Sequence, residues 1–144
     1  MVAIVIVPIV CSWVFSIAFG VPAVVIGQTH NYSTQCEADT AMRFSKWLTI
    51  SGSLALGISV IVTCCWILAY LFELSVIAIV PTGLIVLYYI GWGIFSAMNM
   101  AYAYNCFLQD TPLWMTGLAV TIYYWIFFFA HIAAFIVAFF INDA

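Results

Sequence analysis

The chain has 144 residues, 68% of them hydrophobic and 5% charged, with two basic residues, five acids and a formal net charge of −3. Soluble domains run near ~45–50% apolar and ~25% charged, and a core of this size cannot hide so much apolar surface. An ordinary soluble globule, a disordered chain and a nucleic-acid binder are excluded, the last because no basic stripe can form; a membrane protein is left.

Glu37, Asp39, Arg43, Lys46, Glu73, Asp110 and Asp143 divide the chain into four uncharged apolar runs, 2–27, 47–72, 76–104 and 114–141. Each holds the ~20 residues a helix needs to cross ~30 Å of hydrocarbon, and backbone groups in lipid must bond within their own segment. The expected fold is an all-α membrane protein, one four-transmembrane-helix bundle over residues 1–144. A barrel would need alternating polarity, which the run Ile122-Tyr123-Tyr124-Trp125-Ile126-Phe127-Phe128-Phe129 lacks.

The first run has no basic leader and is longer than a signal-peptide core, so it reads as a span. It carries Ser12, Ser16 and Gly20 at four-residue spacing, the small-residue pattern that lets membrane helices approach. A polar loop, 28–46, holds the acceptor pattern Asn31-Tyr32-Ser33 and Cys36. The second span has Ser51, Ala55, Ser59 and Thr63 in a row, with Gly52 and Gly57 nearby. Glu73-Leu74-Ser75 then forces a tight antiparallel hairpin. The third span has Gly93, Ala97 and Ala101 with Asn99, and the loop 105–113 carries Cys106. Thr111 and Pro112 open the fourth span as cap and first helical residue. Ala130, Ala134 and Ala138 follow, with His131 among them. Pro8, Pro22 and Pro81 are expected near helix ends or in first turns.

Four crossings put loops 28–46 and 105–113 on one side and both termini on the other. The acceptor at Asn31 and one cysteine per loop, Cys36 and Cys106, place those loops in an oxidising exoplasmic space where the two thiols would join. The termini are then cytosolic. Arg43 and Lys46 pull the other way, since basic loops tend to stay inside, but Glu37 and Asp39 flank them. Cys11, Cys64 and Cys65 read as packing residues. Trp47, Tyr104 and Trp114 are expected in an interfacial aromatic belt. The aromatic cluster of the fourth span encircles its helix, so part of it must meet lipid or another subunit.

Asn99 and His131 are the intramembrane polar groups. His131 is read as bonded to a backbone carbonyl or a hydroxyl rather than as a relay or ligand, because no acid lies inside any span. Asn99 is read as helix glue. No catalytic set, cofactor site or metal site is expected. There is no phosphate loop, no paired membrane carboxylate and no nucleophile with a base in reach apart from Cys36 with His30.

Cys36 ahead of a second span carrying Trp47 and Gly52, then Trp92, Gly93 and Asn99 ahead of Cys106, then an aromatic fourth span, resemble the transmembrane protein 272-like family of small four-pass proteins. The likeness runs from Gln28 onward. It implies a plasma-membrane four-helix protein with a cysteine bridge and no established activity. The expected role is a structural, self-assembling membrane protein whose partners are lipids and copies of itself. A pore-forming subunit, with Ser51, Ser59, Thr63 and Asn99 along a path, and an accessory subunit of a larger complex are the alternatives.

Overall fold

A computed structural model of the chain describes residues 2–30, 43–72, 75–104 and 111–142. They form four helices: α1 (Val2–Thr29), α2 (Phe44–Phe72), α3 (Ser75–Tyr102) and α4 (Thr111–Asn142). With 28 residues or more each, they are about 40 Å long or longer at ~1.5 Å per residue. All four are long and apolar enough to cross a membrane, which fits an integral membrane protein.

The helices overrun the apolar runs because hydrocarbon thickness limits the run, whereas backbone hydrogen bonding continues into polar sequence. α2 starts at Phe44, three residues before Trp47, and the Trp47 N–H donates to the Arg43 carbonyl at 2.9 Å. Lys46 therefore lies in the first turn. The prolines depart from expectation: Pro8 and Pro22 lie within continuous α1 and Pro81 within α3. Each removes one hydrogen bond to the carbonyl four residues back. Membrane helices tolerate this because neighbouring groups and local adjustment satisfy the freed carbonyl.

The helices pack in chain order around a ring, α1 on α2, α2 on α3, α3 on α4 and α4 back on α1, with a shorter diagonal contact between α2 and α4. Among the described residues α1 and α3 do not meet. Neighbours run antiparallel: Ser12 meets Ser59 and Gly20 meets Gly52 in the first pair. Phe15 of α1 meets Phe127 of α4 edge-on, and Phe19 packs at a tilt on Tyr123.

The α1/α2 seam is the most extensive interface, and small side chains make it possible. A Cβ built on Gly20 would sit 3.0 Å from the Gly52 carbonyl oxygen, so these two backbones are nearly in contact. The small rows of the third and fourth spans behave differently. Gly93 faces the Trp125 ring of α4, but Ala97, Ala101 and Ala130 are exposed. The α3/α4 seam is aromatic instead, built from Tyr88, Tyr89, Tyr123, Tyr124 and Phe127.

Candidate functional site

The four helices meet at a buried network of hydroxyl and indole groups. In α2, Ser51 and Ser59 lie two turns apart on one face and are fully buried. Around Ser59, the Ser12 hydroxyl of α1 donates to Ser59 Oγ at 3.1 Å, and Ser59 Oγ lies 2.5 Å from Ser16 Oγ. Ser16 in turn is 3.2 Å from the Tyr123 hydroxyl of α4. A hydroxyl has one proton, and Ser59 has three acceptors in reach, Ser16 Oγ at 2.5 Å and the Ala55 and Ser12 carbonyls at 3.2 and 3.3 Å, of which Ser16 is the nearest. The chain Ser12–Ser59–Ser16–Tyr123 thus ties three helices. Beside it, Trp13 Nε1 donates to Thr63 Oγ1 at 2.9 Å while Thr63 donates to the Ser59 carbonyl.

Ser51 is the second node. Its hydroxyl oxygen accepts from Trp92 Nε1 of α3 at 2.9 Å, and its backbone carbonyl accepts from the Tyr124 hydroxyl of α4 at 2.8 Å. The Tyr124 proton is committed to that carbonyl. The 2.9 Å contact between the Tyr88 and Tyr124 oxygens therefore has Tyr88 as donor. Serine rows mark the α2 half of this network in the sequence. Trp13, Tyr88 and Trp92 carry only a weaker signal, an apolar body whose polar tip needs a partner when buried.

Asn99 is fully buried, yet its Nδ2 donates to the Phe95 carbonyl of its own helix at 2.9 Å. Among the described residues its Oδ1 and the neighbouring Ser96 Oγ have no hydrogen-bond partner. The described bond of Asn99 is thus within α3 rather than between helices. His131 is half-buried, with Nδ1 2.7 Å from the Phe127 carbonyl and its ring 5.5 Å from that of Tyr89. That contact is a hydrogen bond when Nδ1 carries the proton.

Other expectations fare differently. Trp47 does not face an interface: it is fully buried against Phe44, because α2 begins early enough for its first turn to pack on Gly117 of α4. Tyr104 is exposed and meets Trp114 edge-on at 6.3 Å. Cys11 and Cys64 are exposed on the outer surface and Cys65 is half-buried, all three as free thiols. Asn31, Cys36 and Cys106 lie outside the described residues.

Among the described residues no three of His, Cys, Asp and Glu gather as a metal site would require. The network holds hydroxyls, indoles and carbonyls, groups that bond helices together and carry no charge across the apolar interior. No family model, curated protein or solved structure matches the chain.

Proposed function

We propose that the protein is a structural, self-assembling membrane component, forming homo-oligomers through its outer helix faces and performing no catalysis. One observation carries this reading: the interhelical hydroxyls turn inward, while the outer faces are mostly apolar and keep small residues without a packing role inside the bundle. Ser51 and Ser59 are buried and bonded to other helices, whereas Ala97, Ala101 and Ala130 are exposed. Lipid supplies no hydrophobic drive between helices, so such small rows are where a second copy can approach closely. The exposed Ile126 and Phe129 of α4 add bulk that a neighbouring copy can bury.

In this reading loops 28–46 and 105–113 are exoplasmic, both termini are cytosolic and the site of action is the plasma membrane. Cys36 bonds Cys106 and Asn31 is glycosylated. The resemblance to the transmembrane protein 272-like family is consistent with the bridge and the location.

Particle stoichiometry in lipid nanodiscs tests the assembly. Wild-type protein is expected as a multimer, and the double variant Ala97→Leu/Ala101→Leu as a smaller species with unchanged helix content. Lone wild-type protomers would overturn self-assembly. A conducting ring would replace it with the pore reading, and a constant second protein with the accessory-subunit reading. Separately, Cys36→Ser or Cys106→Ser should abolish a mobility difference between reduced and unreduced protein on denaturing gels. Identical migration of wild type in both states counts against the bridge.

A further inference from the structure

Trp47 Nε1 of α2 and Ser96 Oγ and Asn99 Oδ1 of α3 are buried and have no hydrogen-bond partner among the described residues. Each of the three side chains is fully buried. An unmade hydrogen bond is costly inside an apolar interior, where no bulk water takes its place. On separate levels of the bundle these would be three unrelated defects. The packing puts them on one level.

Two contacts bracket that level. On one side, the Trp92 indole of α3 donates to Ser51 of α2, whose carbonyl takes the Tyr124 proton of α4. On the other side, a Cβ built on Gly117 of α4 would meet both the Phe44 ring of α2 and Met100 Sδ of α3. Because α2 and α3 run antiparallel, the midpoint between the contacts falls at Trp47 and Leu48 on α2 and at Ser96 on α3. Between the same contacts α4 contributes Val120 and Thr121, both buried. Asn99 follows Ser96 by three residues, on the same helix face. The Phe44 ring, 4.9 Å from that of Trp47, stands between this level and the start of α2.

The chemistry of the three atoms is complementary but incomplete. An indole N–H only donates, an amide oxygen only accepts, and a hydroxyl does either. The Thr121 hydroxyl does not complete the set, since its proton goes to the Gly117 carbonyl. No member of the set is charged, so it offers an ion no counter-charge. It suits a small neutral molecule that accepts and donates at once. Buried water typically makes about three such bonds.

We propose that Trp47, Ser96 and Asn99 hold a buried water molecule between α2 and α3. The water accepts the Trp47 indole proton, donates to Asn99 Oδ1 and bonds the Ser96 hydroxyl. Asn99, whose amide donates only within α3, thereby joins two helices. The site uses no outer face and is independent of self-assembly.

The test reads the indole N–H groups of the full chain, nitrogen-15-labelled in nanodiscs, by water-selective NOE and ROE spectroscopy. Trp47→Phe assigns the Trp47 signal among the six tryptophans. Wild type should show a Trp47 cross-peak at the water frequency that changes sign between the two experiments, as a bound water's does and an exchanging proton's does not. Asn99→Leu, similar in size but without the acceptor, should abolish it. Ser96→Ala should keep it, since Trp47 and Asn99 still hold the water. Circular dichroism and an unchanged Trp92 signal check that the variants keep the fold. A wild-type Trp47 signal without the water cross-peak overturns the proposal, and this reading needs no variant to fold. Loss of the peak in Ser96→Ala also overturns it, because the serine hydroxyl would then be the source. Full retention in Asn99→Leu does the same.

Discussion

Replacing Gly52 by alanine is expected to destabilise the bundle by ~2–3 kcal/mol, a large effect for one methyl group. The added Cβ would lie 2.5 Å from the Gly20 carbonyl oxygen and 2.9 Å from both Ala23 Cβ and Val24 Cγ2. The first obstacle is backbone, which no rotamer change can move, so α1 and α2 must separate. Overpacking of this kind costs ~1–3 kcal/mol in well-packed cores. Here it also stretches the Ser12–Ser59–Ser16 bonds that cross the same seam. Gly91→Ala is the control: its Cβ would meet nothing within 4 Å, and alanine is the better helix former. Thermal unfolding in one detergent should show a lowered midpoint for Gly52→Ala and an unchanged or raised one for Gly91→Ala. Matching midpoints would mean that the close α1/α2 approach does not support the fold.

Tyr124→Ala should cost a similar amount, ~3 kcal/mol or more, by a different route. The side chain is fully buried, touches the rings of Tyr88, Tyr89 and Tyr123 and bonds the Ser51 carbonyl across the diagonal of the bundle. Truncating a buried aromatic leaves a cavity and forfeits its dispersion contacts, losses of ~3–5 kcal/mol in soluble cores. Tyr124→Phe separates the two contributions. It keeps the ring and loses only the hydroxyl, so the cost should fall to ~1 kcal/mol, the scale of interhelical hydrogen bonds in membranes. Chemical unfolding of the two variants in micelles provides the comparison. A Phe variant as unstable as the Ala variant would transfer the weight from ring packing to the Ser51–Tyr124–Tyr88 bonds.

The two substitutions act on interfaces that differ in how openly the sequence announces them. The α1/α2 seam was legible: Ser12 and Ser16 face Ser59, and Gly20 faces Gly52, much as two small-residue rows should. The same pattern on the third and fourth spans misled, because Ala97, Ala101 and Ala130 point outward. Spacing identifies a face that can approach another helix, but not whether that helix belongs to the same chain. Trp47 shows a second limit. Its place beside the charged loop fits a belt residue, yet α2 starts a turn earlier and carries it into the core.

Composition and charge placement alone determined that four apolar helices form, how many there are and within a few residues where they lie, because burying a charge or an unbonded peptide group in hydrocarbon is prohibitively costly. Which face of each helix turns inward required the tertiary structure. These helices are apolar on nearly every side, so hydrophobic contrast does not orient them. Orientation is settled by steric fit at glycine and serine and by the partners that Trp92, Tyr88 and Tyr124 find on other helices. Those are relations between residues far apart in the chain, visible only once the helices are side by side.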